Sequence, residues 1–427
     1  MIRKILSYIA GSNLFLFLLT VFLFILLNII SSGDNVNFNE VGIKSLLPIL
    51  LCLLIFFIQK YIPSFLIIYL LFFSISIFSF LGLANNINGS HATSPNPFIY
   101  GLSFYGAFLA YKILNKQLLI KDIIFGANPI ILISGPIPVR TNQIGSKLRK
   151  RILYFFPYLL IGFFFFKVIS SPMTFFLSMV QYTTPEVVFI FAVLFRIFLY
   201  FNFAGISLMI FGLFGILGVK IPLNFTQPFS SRTIIEFWRS WHVSLSMVLK
   251  DLFYNPTRKV FGKTYLAIFA VYFCSALWHG VSLNFLMWGI FHSILFILSV
   301  SLLKRGMRFL PFIILLIGIP FGDIMFTDTD IPRLMEKLLN FTKFDSYGNF
   351  SFETLLQSLI DIPKYVIIST LLAFAIILLE FFFKDHKYFF KKNYKFLRLK
   401  ISQLVIMALI IFLTSGQGWD YAAYGQR

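Results

Sequence analysis

The chain has few charged residues, and acidic ones are especially scarce. Charged side chains make up 12% of its 427 residues, and only 16 are Asp or Glu, whereas about 25% charged residues is usual in soluble domains. The apolar and aromatic set reaches 59%, including 58 phenylalanines. So few charges cannot cover a water-exposed surface around that much apolar material. The composition therefore excludes an ordinary soluble globular enzyme and indicates an all-α protein embedded in lipid.

Cysteine and cofactor motifs are also scarce. Cys52 and Cys274 lie far apart in apolar runs, so neither a disulfide framework nor a thiolate metal site is indicated. The sequence contains no metal, haem or nucleotide motif and no glycine-rich phosphate loop, so we expect no bound cofactor and no metal. Lys and Arg total 36, for a formal net charge of +20. In a membrane protein this excess indicates cytoplasmic loops near lipid headgroups rather than nucleic acid.

Long apolar runs predict a polytopic bundle of about eleven spans, since a bilayer requires roughly 20 apolar residues per helix. The predicted spans are 13–30, 45–60, 64–84, 97–114, 152–169, 187–218, 264–280, 283–303, 308–327, 362–383 and 400–415. Basic segments alternate correctly only if 187–218 crosses once, bent near Asn202 and Gly205. We therefore predict a multi-pass protein of the inner (plasma) membrane with a cytoplasmic N-terminus. It forms a single domain over 1–427, and segment 119–135 is predicted to be re-entrant beside a central tunnel.

The five histidines differ in their surroundings. His91 and His386 lie in polar or basic segments and are predicted to be solvated. His242, His279 and His292 lie in or beside apolar segments, where an ionisable side chain is costly. Such a histidine either serves a function or joins two helices by hydrogen bonds, and the sequence leaves both interpretations open.

Segment 236–256 has the pattern of one amphipathic helix. Trp238 and Trp241 recur on one side, while Arg239, His242 and Ser246 recur on the other. Tryptophan opposite basic residues is typical of a helix that lies in the inner membrane interface. We predict that the helix ends before the proline at 256 and the glycine at 262.

Segment 276–292 contains the strongest candidate for chemistry. His279 is predicted to close one helix, Gly280 to break it, and a second helix to start after Asn284. A histidine in an apolar bend stays neutral near pH 7 and can accept a proton, which suits a general base. Cys274 lies about 140° away around the same helix, so a Cys–His nucleophile pair is not favoured. We assign Cys274 to packing.

Five segments in a fixed order resemble the membrane-bound O-acyltransferase (MBOAT) family. They are GPIPVR at 135–140, NFAGISLMIFG at 202–212, NFTQPFSS at 224–231, FWRSWHVSLS at 237–246 and ALWHG at 276–280, with WG following at 288–289. The similarity covers about 135–292 and points to the bacterial branch that holds the alginate O-acetylation protein and the teichoic acid D-alanyl transfer protein.

The resemblance implies an MBOAT-like helical bundle and an acyl transfer reaction. It assigns His279 to the family's catalytic histidine and His242 to the second histidine of its motif pair. The resemblance implies transfer of an acyl group from a cytosolic thioester (acetyl-CoA or acyl carrier protein) to a hydroxyl of a cell-envelope or exported polysaccharide. Acetyl is the favoured acyl group. We expect the remaining motif residues to shape the tunnel: Asn224, Trp238, Arg239, Ser246 and Trp278.

Two other functions remain open. D-alanyl transfer to a teichoic-acid-type polymer is the nearest within the enzyme class, and a transporter or flippase is the alternative from another class. Ion-coupled transport requires titratable groups deep in the spans, but acidic residues there are nearly absent apart from terminal ones such as Asp323 and Glu380. The scarcity of acidic residues in the spans favours an enzyme over an ion-coupled transporter. The expected partners are membrane lipids, the acyl donor at the cytoplasmic face and an extracytoplasmic transferase or esterase-like protein.

Overall fold

A computed structural model of the chain describes residues 64–74, 97–118, 125–126, 136–347 and 362–382. The predicted spans 13–30, 45–60 and 400–415 lie outside these residues, as does nearly all of the predicted re-entrant segment 119–135. Backbone contacts separate the chain into two compact units, Met1–Arg140 with Tyr424–Arg427, and Thr141–Ala423. They are called the amino-terminal unit and the main unit below.

The described residues are mostly helical. The regular elements, numbered in chain order, are α1 (Ser64–Phe72), α2 (Pro97–Leu114), β1 (Asn142–Gln143), α3 (Leu148–Phe163), α4 (Pro185–Leu217), β2 (Val219–Lys220), α5 (Ile234–Ser240), α6 (Val243–Leu249), α7 (Asn255–Phe261), α8 (Thr264–His279), α9 (Leu283–Lys304), α10 (Phe309–Thr327), α11 (Ile331–Asn340) and α12 (Lys364–Phe382).

In the amino-terminal unit, α1 and α2 pack closely at Gly106. A methyl group on this glycine would lie 2.1 Å from the carbonyl oxygen of Leu71. Only a residue without a side chain permits this approach of two helix backbones. Phe104 and Phe108 lie on the buried surface of α2.

Helix α4 is the central element of the main unit. Its 33 residues form one unbroken helix that starts with Pro185 and ends at Gly218, which takes the left-handed conformation with φ 97°. The prediction of one helix over 187–218 is therefore confirmed, and the bend near Asn202 and Gly205 stays a prediction. A methyl group on Gly162 of α3 would lie 2.6 Å from the Gly205 carbonyl oxygen, and one on Gly205 would lie 2.9 Å from the Gly162 carbonyl oxygen. The two glycines together allow two long apolar helices to cross in close contact.

The described residues contain five helices that are long and apolar enough to cross a membrane, at 148–181, 185–217, 283–304, 309–327 and 364–382. The first of these is irregular, because α3 continues through a π-helix at Phe164–Ser170 and a 3₁₀-helix at Thr174–Gln181. Helix α8 is apolar but has 16 residues. These helices agree with a polytopic membrane protein, and the total of about eleven spans stays a prediction.

A buried charge cluster fixes α11 at the end of α10. Asp328 is fully buried and accepts hydrogen bonds from Arg333 Nε at 2.9 Å and Lys337 Nζ at 2.6 Å. Burial alone would raise the pKa of Asp328, but the hydrogen bonds from Arg333 and Lys337 lower it below its ordinary value. Leu334 then packs into an apolar cluster with Ala192 of α4 and Ile324 of α10.

Candidate active site

His279 lies at a break between two apolar helices, as the sequence predicts. It is the last residue of α8, and α9 begins at Leu283, two residues before the predicted start after Asn284. Gly280 follows in an extended conformation, where a methyl group would lie 2.9 Å from the ring of Phe285. The absence of a side chain at Gly280 thus lets α9 turn back closely against the end of α8.

Four aromatic rings surround the half-buried His279. The distances between ring centroids are 5.0 Å to Trp278, 5.9 Å to Phe285, 5.6 Å to Trp288 and 4.9 Å to Phe326. Because Phe326 comes from α10, three helices contribute to this cage. The surroundings are apolar on several sides and partly open, which is the environment a general base requires. Trp278, expected beside the tunnel, lies directly against His279.

His242 takes a backbone conformation that the sequence pattern did not predict. Helix α5 ends at Ser240, His242 has φ 46° in the left-handed region, and α6 starts at Val243. The prediction of a single helix over 236–256 is therefore wrong. The physical reason is a helix cap, since His242 Nδ1 accepts a hydrogen bond from the Leu245 backbone N–H at 3.3 Å. Histidine tolerates this conformation better than most residues.

The side chain of His242 is buried, with 4% of its surface exposed. It does not share an exposed polar face with Arg239 and Ser246, which corrects the sequence prediction. Its ring packs edge-on against Phe203 of α4 with centroids 4.9 Å apart. Burial lowers the pKa of His242 to about 3, because the charged form loses its hydration. The imidazole is neutral at physiological pH.

Asn224 holds the His242 turn in place. Its backbone oxygen accepts from Val243 N at 2.8 Å, and its Oδ1 accepts from the Ser244 N–H at 3.2 Å and hydroxyl at 2.7 Å. Its Nδ2 donates to the Ser207 hydroxyl on α4 at 3.3 Å. Asn224 and Ser207 also line a small cavity together with Tyr200. Asn224 therefore joins the turn to α4 at the edge of a cavity.

The other expected tunnel residues occupy different environments. The Ser246 hydroxyl donates to the backbone oxygens of Trp238 at 3.1 Å and Trp241 at 3.3 Å, and thereby ties α6 to the end of α5. Trp238 points into the bundle, where it contacts Trp288 with ring centroids 6.0 Å apart. The Arg239 side chain is exposed. The structure thus brings Trp238 towards the His279 region and leaves Arg239 at the surface.

Pro256 does not end the helix, contrary to the sequence prediction. The helical backbone runs on from α6 through a π-helix at Lys250–Tyr254 into α7, which contains Pro256. Gly262 ends this run with φ 65°, as the sequence predicts.

A buried ion pair joins α4 to α10 and is not predicted by the sequence. Arg196 of α4 donates from Nε to Asp323 Oδ2 of α10 at 2.7 Å, with a second bond from Nη2 to Oδ1. Both residues are buried, and the guanidinium lies 4.7 Å from the Trp241 ring centroid. A single arginine within a long apolar run was the available sequence signal. Asp323 lies four residues before the end of α10, near the end of its span as the sequence predicts, and its side chain is fully buried.

Glu380 of α12 is also buried and accepts a hydrogen bond from the Tyr200 hydroxyl of α4. Like Asp323, it lies near the end of its predicted span. Two of the scarce acidic side chains thus lie inside the helical unit with specific partners.

His242 and His279 lie at different levels along α4. His279 contacts Phe326, which is two positions from Ile324, and Ile324 packs with Ala192 of α4. His242 instead packs on Phe203. At about 1.5 Å per residue, Ala192 and Phe203 are separated by roughly 16 Å along the helix axis. The two motif histidines therefore pack against different neighbours within the helical unit.

Comparison with known proteins finds a family model that matches part of the chain. Residues 139–312 match the family model of MBOAT, the membrane-bound O-acyltransferase family. The resemblance found in the motifs is thus confirmed, and the matched region contains α3 to α9 with His242, His279 and His292.

Individual relatives agree with this family. The chain is 41% identical over 97 residues to a probable alginate O-acetylase of Pseudomonas putida, covering 22% of this chain and 20% of the relative. It is 35% identical over 99 residues to the peptidoglycan O-acetyltransferase of Helicobacter pylori (22% and 19%). It is 32% identical over 111 residues to the teichoic acid D-alanyltransferase of Bacillus subtilis (24% and 28%). The matches therefore span less than a third of each relative.

Proposed function

We propose that this protein is an integral membrane O-acyltransferase in which His279 is the general base. The observation that carries the proposal is the position of His279, at a helix break inside the family-matched region and within a partly open cage of aromatic rings. A neutral imidazole in that position can accept a proton from an acceptor hydroxyl.

The reaction follows from this role. His279 removes the proton from the acceptor hydroxyl as its oxygen attacks the thioester carbonyl. The tetrahedral intermediate collapses by breaking the carbon–sulfur bond, which leaves an ester on the acceptor. The proton held by His279 passes to the departing thiolate, so the products are ester and thiol, and the imidazole is again neutral.

The acyl group and the acceptor are proposed from the relatives. Two of them act on alginate or peptidoglycan as O-acetyl transfer proteins, which supports acetyl transfer to a cell-envelope or exported polysaccharide. The donor is a cytosolic thioester, either acetyl-CoA or an acyl carrier protein. We further propose an inner-membrane location with a cytoplasmic N-terminus, a tunnel from the donor to the outer face, and an extracytoplasmic transferase or esterase-like partner.

Two alternatives have specific support. The similarity to a teichoic acid D-alanyltransferase supports D-alanyl as the acyl group. Transport is supported by the buried Arg196–Asp323 and Tyr200–Glu380 pairs, since titratable groups inside a bundle are a feature of ion-coupled carriers. Acyl transfer remains the first proposal because the family match contains His279 and three of the four rings around it.

The test is acyl transfer by membranes that carry the full chain. Labelled acetyl-CoA, acetyl carrier protein and D-alanyl carrier protein are supplied in parallel, and ester-linked label on envelope polysaccharide is measured. We expect His279→Ala to lower transfer by about 10²–10⁴-fold, the usual contribution of a general base. Cys274→Ala on the same helix is the matched control and should transfer at the wild-type rate.

Folding is checked for each variant by its elution and melting temperature in detergent. A folded His279→Ala protein with wild-type transfer would show that His279 is not the base. A wild-type protein that forms no ester from any of the three donors, with envelope acceptor present, would favour transport instead.

A further inference from the structure

Three polar residues follow one another along a single face of α9. Asn284, Trp288 and His292 are spaced four residues apart, which places them one above another on a helix. All three are buried, with exposed fractions of 0%, 4% and 0%. The stripe is about 12 Å long at 1.5 Å per residue. It runs along α9, whose other residues are mainly apolar.

The side-chain nitrogens of this stripe have no hydrogen-bond partner among the described residues. They are Asn284 Nδ2, Trp288 Nε1 and both ring nitrogens of His292. Trp238 of α5 adds a fourth such side chain, since its buried Nε1 also has no partner there. Buried polar atoms in native proteins are almost always paired with protein, water or ligand. Several unpaired ones in neighbouring side chains therefore indicate a site that receives a ligand.

Three of these side chains are in mutual contact. Ring centroids lie 4.9 Å apart for Trp288 and His292, 5.2 Å for Trp238 and His292, and 6.0 Å for Trp238 and Trp288. We call Asn284, Trp288, His292 and Trp238 the polar wall. Trp288 also contacts His279, so the polar wall starts beside the proposed base.

The neighbouring groups restrict what the polar wall can bind. Arg196 lies close to Trp238, but its charge is already compensated by Asp323, so an anion has no free cation here. On the α10 side, a methyl group on Gly322 would lie 2.3 Å from His292 Nε2, so the α10 backbone closes that side. The indole and amide nitrogens are donors only. Their natural ligands are neutral carbonyl oxygens.

We propose that the polar wall binds the acyl donor by hydrogen bonds to its carbonyl oxygens. This inference rests on the proposed acyltransferase function and names how that site recognises the donor. The indole N–H groups of Trp288 and Trp238 bind the thioester carbonyl, and His292 binds an amide carbonyl of the pantetheine arm, which leaves the sulfur in one direction. Asn284, at the other end of the stripe, faces the acyl side of the thioester. As the acceptor oxygen attacks, the thioester oxygen gains negative charge, and bonds from pre-placed donors strengthen. Coenzyme A and carrier proteins share this arm, so either could present it.

The first test compares transfer kinetics in membranes of wild type, Trp288→Phe and Trp238→Phe. These changes keep an aromatic ring and remove the N–H. We expect each to lower kcat by about tenfold or more, since loss of one donor to a developing oxyanion commonly costs about 10²–10³-fold. Trp241→Phe is the matched control, because it makes the same chemical change in a neighbouring buried tryptophan that packs on Phe237. It should leave transfer unchanged.

The second test measures binding without reaction. Two thioethers are prepared on coenzyme A and again on pantetheine: an acetonyl thioether, which has a ketone, and an ethyl thioether, which has none. Wild type should bind the acetonyl compound about tenfold more tightly than the ethyl compound. Trp288→Phe should reduce this ratio towards one while leaving the affinity for the ethyl thioether unchanged. Discrimination only on coenzyme A would identify it as the donor, whereas discrimination on both carriers would place recognition in the shared arm.

The outcomes separate the two proposals. If wild type transfers, His279→Ala does not, and the folded Trp288→Phe and Trp238→Phe proteins retain both wild-type kcat and wild-type discrimination, the polar wall is not the donor site although the function stands. If wild type forms no ester yet discriminates the two thioethers through Trp288, the polar wall binds carbonyl compounds and the proposed reaction is wrong. If wild type neither transfers nor discriminates, both proposals fail.

Discussion

The His242 turn and the polar wall are both buried in the main unit, but they use their polar groups differently. At the His242 turn, Asn224 binds Val243, Ser244 and Ser207, and His242 Nδ1 caps α6. In the polar wall, four side chains carry nitrogens without a partner among the described residues. The His242 turn is stabilised by hydrogen bonds within the protein. The polar wall, in the proposal above, offers its donors to a bound ligand.

This difference predicts which substitutions lower the stability of the protein and which lower its activity. Hydrogen bonds made between protein groups contribute to the free energy of unfolding, and breaking one leaves its partner buried and unpaired. Donors that wait for a ligand contribute to binding or to the transition state instead. Changes at the His242 turn should therefore lower stability and activity together, whereas changes in the polar wall should lower activity alone.

The largest effect is expected at the ion pair that lies between the two regions. Asp323→Ala leaves the Arg196 guanidinium buried without its partner, and we expect a loss of about 3–5 kcal/mol in the free energy of unfolding. The double change Arg196→Met with Asp323→Leu should recover most of this loss, because it removes both charges. Melting temperature in detergent measures the effect, and Asp345→Ala, an exposed aspartate, is the control. Equal melting temperatures for Asp323→Ala and wild type would contradict this account.

The next effect tests whether Asn224 is a clamp. Asn224→Ala removes its side-chain bonds to Ser207 and Ser244, and we expect a loss of about 1–3 kcal/mol together with lower transfer. Asn255→Ala is the matched control, since Asn255 makes an exposed bond to Asp251 within its own helix segment. If Asn224→Ala lost transfer at unchanged stability, Asn224 would act in binding or catalysis, as proposed for the polar wall. The proposed difference between the two regions would then be wrong for this residue.

Acid should destabilise the His242 turn. An unfolded histidine has a pKa near 6.5, whereas the pKa of His242 in the folded protein is about 3. Between these values the unfolded state binds more protons, so the free energy of unfolding falls as pH falls from 6.5 towards 3. We expect a loss of about 2 kcal/mol between pH 7 and pH 5 from this group.

His242→Asn sharpens this test, because asparagine also tolerates the left-handed conformation and caps helices but does not titrate. The variant should show a weaker decrease in melting temperature between pH 7 and pH 5 than wild type. An identical decrease in both proteins would mean that His242 is not the acid-sensitive group.

The smallest effect is expected at Arg239, whose side chain is exposed at the end of α5. Arg239→Ala should change stability by no more than about 0.5 kcal/mol, and transfer should stay within about twofold of wild type. A large loss of transfer at unchanged melting temperature would restore Arg239 as a tunnel or donor-docking residue, as the sequence motif suggests.

Much of the helical framework is predictable from sequence, because lipid imposes a simple rule on apolar runs. The boundaries of α9, α10 and α12 agree with the predicted spans 283–303, 308–327 and 362–383 to within a few residues. The position of His279 at a break was also predictable, since Gly280 and the polar residues after it interrupt two apolar runs. The break at His242 was not, because its periodic pattern continues through a residue whose side chain caps the following helix.

The sequence by itself determined that this chain is a membrane-embedded helical protein with an MBOAT signature, because composition, apolar run length and motif order are properties of the chain alone. Only the tertiary structure decided which side chains meet: Arg196 with Asp323, Asn224 with Ser207, and Trp238 with the stripe on α9. These contacts join residues 17 to 127 positions apart. Such pairings depend on how helices cross, and helix crossing is set by close packing between surfaces that no local pattern specifies.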